Sequence, residues 1–205
     1  MAIFDHLAFA AASLEEGAAA VERALGVPLE PGGAHAQMGT HNRLLSLGPG
    51  EYFELIAIDP EGTPPGRPRW FALDDFSGAP RPQSWIVQAP DLEEALKIAP
   101  FGSGEPMLFQ RNALTWRFAV PDSGLQPFDG ISPAVIEWGE GVPHPSERLP
   151  DRGVRLTGLV LRHPRPQDLA RALEPLIDDP RLRFDTGAPG IRAEFDTPDG
   201  PRVLE

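Results

Sequence analysis

Cysteine is absent from this 205-residue chain, which excludes disulfides, thiolate metal ligands and a cysteine nucleophile, and fits a cytoplasmic protein. Basic runs are absent too. With a net charge of −12 and no cluster of Lys or Arg, the chain lacks the footprint that neutralising a phosphate backbone leaves, so no nucleic-acid partner is expected. No apolar stretch approaches the ~20 residues needed to span a bilayer. The N-terminus lacks the basic-then-apolar order of a signal peptide, so no membrane partner is expected either.

What is present argues for a folded globule. Hydrophobic residues make up 41% of the chain and four are tryptophans, enough at this length to bury a core in one or two domains. The 25 prolines and 21 glycines punctuate short apolar runs and form no low-complexity block, which predicts many short elements with structured connections.

The opening stretch sets the pattern. From Ile3 to Ala11 a bulky face with Leu7 and Phe9 alternates with a small face carrying His6, Ala8 and Ala10. The bulky face suits the underside of a helix, and the small face leaves His6 free to line a cavity. Ser13 and Glu16 then read as a capping box, with Leu14, Ala18, Val21 and Leu25 at helical spacing and Gly26 as a stop.

Pro31 to Asn42 reads as a polar, glycine-rich connection. It leads into a strand at Arg43 to Leu47, a Gly48-Pro49-Gly50 turn and a second strand from Glu51 to Ile58, the pattern of an antiparallel hairpin. Glu54 is a carboxylate in an otherwise apolar run and needs a partner or a metal. A proline-rich connector, Asp59 to Pro82, contains a short turn at Arg69 to Leu73.

The opening then returns. Gln83 to Pro90 is strand-like, and Asp91-Leu92-Glu93-Glu94 repeats Ser13-Leu14-Glu15-Glu16 at an offset of 78 residues, which carries His6 onto Ser84. Strands are expected at Met107–Gln110 and Leu114–Val120, around a turn at Arg111–Asn112, and at Ser132–Trp138, where Glu137 stands in an apolar run as Glu54 does. These are two copies of one β-α-β-β-β unit, residues 1–78 and 79–152. A partial third, β-α-β-β over residues 153–205, opens at Val154 with Gly158 in the place of His6. The fold class is α+β.

The repeat resembles the vicinal oxygen chelate superfamily, and more narrowly the glyoxalase-like domain family. That family's Gly-x-His-x-x-Met-Gly-Thr-x-Asn pattern stands here as Gly33 to Asn42, with further likeness at Asp5-His6, Glu54-Leu55-Ile56, Ile136-Glu137-Trp138 and His144-Pro145. The resemblance implies paired modules curved into a half-barrel around one polar cavity, and a homodimer. It nominates His6, Glu54 and Glu137 as metal ligands, a mixed N/O set suited to Zn²⁺, Mn²⁺, Fe²⁺, Co²⁺ or Ni²⁺. Glu54 and Glu137 are then the catalytic carboxylates, and Ser84, His35, Asn42 and Arg111 the substrate-binding residues. Ser84 departs from the pattern: serine is a poor ligand, so either water fills its place or metal binding has been lost. The implied activity is isomerisation or lyase chemistry on a small oxygen-rich molecule through an enediolate-type anion. The alternative is a metal-free protein that binds or sequesters a small molecule.

Each of these residues also has an ordinary reading. His6 suits a satisfied structural histidine, and Glu54 and Glu137 suit ion pairs with Arg43, Arg111 or Arg117. His35 and Asn42 suit turn-stabilising roles, and Trp85 and Trp138 suit the core. His41, His144 and His163 have no constellation around them and read as surface or loop residues.

Overall fold

The computed structural model describes residues 1–111 and 114–205, so the turn expected at Arg111–Asn112 lies partly outside the described residues. The first unit is β1 (Ile3–Ala10), α1 (Leu14–Leu25), β2 (Glu30–His35), β3 (Thr40–Gly48) and β4 (Glu51–Ile58). The second is β5 (Arg81–Gln88), α2 (Leu92–Leu96), β6 (Glu105–Arg111), β7 (Leu114–Val120) and β8 (Ala134–Trp138). The third is β9 (Arg155–His163), α3 (Pro166–Leu173), β10 (Leu182–Thr186), β11 (Gly190–Thr197) and β12 (Gly200–Leu204).

Local chemistry explains the helix ends. Ser13 Oγ accepts the Glu16 N–H and Asp91 Oδ1 accepts the Glu94 N–H, each occupying one of the free donors of a first turn. Gly26 closes α1 at φ 77°, returning its N–H to the Glu22 carbonyl. Leu14, Ala18, Val21 and Leu25 are buried on one face of α1.

The first two units share one curled eight-stranded sheet in the order β2-β3-β4-β1-β5-β8-β7-β6. β1 pairs parallel with β4 and β5 parallel with β8, while β1 and β5 meet antiparallel at the centre, so the units are related head to tail. One face of this sheet carries Leu7, Phe9, Phe53, Leu55 and Trp85. It packs with α1, α3 and a second sheet in a single hydrophobic core. The opposite face carries Ala8, Ala10, Ile56, Ile86 and Ile136 and lies under Trp70, Phe71 and Leu73 from a 3₁₀ segment at Trp70–Asp75.

Two elements go beyond the sequence reading. The glycine-rich connection contains β2, an edge strand whose register with β3 shifts between Pro31 and Ala34. Gly32 is required there, because a Cβ would stand 2.0 Å from Asn42 Oδ1 and 2.5 Å from the Asn42 carbonyl. The third unit holds a further strand, β10, and its order β10-β9-β11-β12 places the opening strand inside a separate four-stranded sheet. It is therefore not a copy of the first two units, whose opening strand pairs with the last strand.

Candidate functional site

The site begins with an irregularity in β1. Against β5, Phe4 pairs with Val87 and His6 with Ile86, leaving Asp5 as an extra residue. Such a bulge lets two consecutive side chains escape the strict alternation of a strand. Phe4 and Leu7 accordingly enter the core, while Asp5 and His6 are bonded to each other, Asp5 Oδ1 lying 2.5 Å from His6 Nδ1. β5 has its own extra residue, Gln83, at the same offset of 78 that carries His6 onto Ser84. Gln83 Nε2 donates to the Phe71 carbonyl, holding a residue at φ 60° over the cavity.

Asp5 is fully buried and its second oxygen accepts from two more donors, Trp138 Nε1 at 2.9 Å and His144 Nε2 at 3.2 Å. Burial alone would raise its carboxyl. Hydrogen bonds from His144 and His6, with the charge of those rings, bring it down to about 2. An ionised Asp5 only accepts, so Nδ1 of His6 carries the shared hydrogen. In the neutral His6 ring the Nε2 lone pair is then left free.

The His144 tautomer follows from its other neighbours. The Ser146 N–H donates to His144 Nδ1 at 3.2 Å, so Nδ1 is bare and Nε2–H is the donor to Asp5. The Gly50 N–H donates to Ser146 Oγ, which frees the Ser146 hydroxyl hydrogen for His144 Nδ1 at 2.8 Å. The sequence reading left His144 without a constellation; the structure gives it a place in the site.

Glu54 stands across from His6, with Oε2 3.6 Å from His6 Nε2. Its other oxygen accepts Asn42 Nδ2 at 2.6 Å. The Asn42 amide is fixed the right way round, since Oδ1 accepts the Gly33 N–H at 2.8 Å and faces Arg111 NH1 at 3.4 Å. Arg111 NH1 is also 3.4 Å from His35 Nε2. A guanidinium only donates, so His35 carries its hydrogen on Nδ1, toward Thr40 Oγ1 at 3.1 Å. Burial, reinforced by the Arg111 charge, holds His35 at about 3, a neutral ring at physiological pH. Tyr52 stacks on His6 with ring centroids 4.3 Å apart. Its phenol is pushed well above 10 by burial and then by the Asp5 and Glu54 carboxylates.

His6, His35, Asn42, Glu54 and Arg111 thus line one cavity, roofed by Trp70, Phe71, Trp116, Phe118 and Trp138. Its volume is about 30 Å³. The indole N–H of Trp70 is buried without a partner among the described residues. Ser84, the counterpart of His6, is buried opposite Ala8 with its hydroxyl likewise unpartnered, but it is not part of the cavity wall. Trp85 is core, donating its indole N–H to the Ile131 carbonyl, while Trp138 belongs to the site.

Glu137 requires a correction. β4 pairs Glu54 with Ala8, and β8 pairs Ala134 with Ile86, so the offset of 78 that carries Ala8 onto Ile86 makes Ala134 the counterpart of Glu54. Glu137 lies three positions further on, an odd step that turns its side chain to the other face of the sheet. There it accepts the Leu92 N–H at 2.6 Å, at the start of α2, and lies 3.4 Å from Arg117 NH1. The ordinary reading, a pair with Arg117, is what the structure shows. Glu54 has none of Arg43, Arg111 or Arg117 within 4.0 Å among the described residues.

The donor set does not fit a resident metal in the cavity. A catalytic site of this kind needs about three protein ligands, and among the described residues no third ligand atom converges with His6 Nε2 and Glu54 Oε2. His35 Nε2 already faces Arg111 and Asn42, at 3.4 Å each, and Glu137 is on the other side of the sheet. Among the described residues the group with three convergent ligand atoms is Asp91, Glu93 and Glu137, at the exposed start of α2, where Arg117 and the Leu92 N–H engage the acids.

The fold and this site define a half-barrel with a small cavity that carries the polar groups of His6, His35, Asn42, Glu54 and Arg111. A family profile described as a glyoxalase-like domain matches residues 4–177, and the chain belongs to that family. A crystal structure of a hypothetical protein from Staphylococcus aureus shares the fold, with a TM-score of 0.65 over 93% of this chain and 88% of the other at 13% identity. Methylmalonyl-CoA epimerase from Mycobacterium tuberculosis aligns with a TM-score of 0.43, covering 66% of this chain and 85% of its own at 18% identity. Among curated proteins none matches. No helix of the described residues is long and apolar enough to cross a membrane.

Proposed function

We propose that the chain is an isomerase-type enzyme that moves a proton on a small oxygen-bearing acid, using His6 and Glu54 without a resident metal. One observation carries this reading. Two buried groups, His6 Nε2 and Glu54 Oε2, face each other across 3.6 Å, too far for a hydrogen bond and open to a substrate proton between them. Arg111, which has no carboxylate within 4.0 Å among the described residues, supplies the positive group for an anionic oxygen, and the Trp70 N–H supplies a neutral donor.

The chemistry follows from the acid and base groups. His6 Nε2 takes a proton from the carbon beside a carbonyl, and the charge that develops on oxygen is met by Arg111. Buried, ionised Asp5 stabilises the resulting imidazolium. Glu54 accepts the substrate hydroxyl proton and returns it to the former carbonyl oxygen, while His6 returns its proton to the neighbouring carbon, so protons balance over the cycle. The aromatic roof excludes water that would quench the anion.

The test is exchange of the proton on the hydroxyl-bearing carbon of 3-hydroxy-2-oxo acids, which carry the adjacent hydroxyl and carbonyl this cycle needs, into D₂O, followed by ¹H NMR. Exchange is expected with the wild type and a drop of about 100-fold or more with His6→Gln or Glu54→Gln. Binding, read by quenching of cavity tryptophans, without any exchange would select the second reading, a sequestering protein, which Ser84 in the place of a metal ligand favours. Neither binding nor exchange would sink both.

A further inference from the structure

A surface groove of about 360 Å³ lies directly outside the cavity. The two share Leu44, Arg111, Leu114 and Pro145, so these side chains form a common wall. Beyond it the groove is lined by Pro31, Leu149 and Pro150, and Arg148 stands exposed at its rim. Like Arg111, Arg148 has no carboxylate within 4.0 Å among the described residues, in a chain whose net charge is −12. The one acid in the groove, Glu30, is engaged by Arg152.

From this continuity we infer that the substrate is an acid with an apolar tail, its reacting end in the cavity and its tail along the Leu44–Leu149 groove. The inference rests on the proposed proton-transfer reading and deepens it. A cavity of 30 Å³ accommodates about one or two waters. A reacting group therefore enters only as the shared wall yields, and Arg111 is the wall residue with the longest side chain, its guanidinium hydrogen bonds among the described residues being 3.4 Å each. Once Arg111 turns onto the substrate anion, cavity and groove become one elongated site. Its outer part offers aliphatic and proline surface, which suits a hydrocarbon chain. The two unpaired guanidinium groups suit an anion and disfavour a cation.

The measurement is calorimetric binding of straight-chain 2-oxo acids of three, five, eight and ten carbons to wild type and to Leu149→Asp, with circular dichroism confirming the fold of the variant. Affinity in the wild type is expected to rise about tenfold or more between three and eight carbons as methylenes leave water. In Leu149→Asp that gain is lost, read as the ratio of eight-carbon to three-carbon affinity within each protein, so that the added charge, which weakens every acid of the series, cancels. A wild-type series in which the short acid binds and length makes no difference overturns the tail inference and leaves the proton-transfer reading standing. So does a length gain that survives in Leu149→Asp. No binding at any length overturns both.

Discussion

His144 and Asp5, 139 residues apart in sequence, are joined by a 3.2 Å hydrogen bond from Nε2–H to Oδ2, and this bond ties the loop after β8 to the bulge in β1. Asp5 thereby takes three donors on two oxygens inside the protein. An asparagine there would put two amide hydrogens where a carboxylate accepts. Asp5→Asn is expected to cost about 2 kcal/mol or more in chemical denaturation. It should also release the His6 ring from its Nδ1–H tautomer, which ¹⁵N shifts of the imidazole report. An unchanged tautomer would remove Asp5 from its role in orienting His6.

Acid should unfold the protein through His35 before Asp5. The folded ring titrates at about 3 against an ordinary 6.5, so between those values the unfolded chain binds a proton that the folded chain does not. Stability is therefore complete above about pH 6.5 and is lost as pH falls toward 3, at up to about 1.4 kcal/mol per pH unit. Asp5 adds a loss in the same direction between 3.8 and about 2. Urea midpoints at pH 7.5, 6 and 5 in wild type and His35→Gln read this slope. The same slope in both proteins would assign it elsewhere.

Glu137→Ala should behave as a helix-cap variant. The lost acceptor for the Leu92 N–H is expected to cost about 1 kcal/mol. Proton exchange on a bound acid should stay within about twofold of wild type. A large kinetic defect with normal stability would return Glu137 to the chemistry, against its position on the other face of the sheet.

Ser84→Ala removes a hydroxyl that is buried without a partner among the described residues. The variant is expected to be as stable as wild type or more so, by up to about 1 kcal/mol, because an unsatisfied polar group is removed. A loss above 1 kcal/mol in thermal or chemical unfolding would mean that the hydroxyl has a partner it keeps.

Much of the architecture was legible because alternation and capping are local. The pattern of Leu7 and Phe9 against His6 and Ala8 states which side of β1 is core, and the recurrence of the N-cap motif states that the unit repeats. The offset of 78 is reproduced by the bulges at Asp5 and Gln83. The places of His35 and Asn42 beside Glu54 depend on pairing across β2, β3 and β4, to which the family pattern pointed, while Arg111 arrives from β6 at the far edge of the curled sheet. Glu137 was misplaced because it was matched to Glu54 by residue type, whereas ladder register matches Glu54 to Ala134. The family pattern includes Asp5 and His144, but their contact is not legible: a bulge leaves no mark in apolar periodicity, and a hydrogen bond over 139 residues has no local signal. β2 was hidden by glycines that disfavour strands and are needed here for close approach to Asn42.

The bulge in β1 also separates inheritance of the scaffold from inheritance of the chemistry. Removal of the single codon for Asp5 would leave Phe4, His6 and Leu7 in unbroken alternation, still opposite Val87, Ile86 and Trp85. The ladder would close at that point and keep only the bulge at Gln83, yet His6 would lose its anchor and His144 its acceptor. A lineage built on this frame is thus one in-frame deletion from a relative that keeps the sheet without the Asp5–His6–His144 network, and one insertion from its recovery.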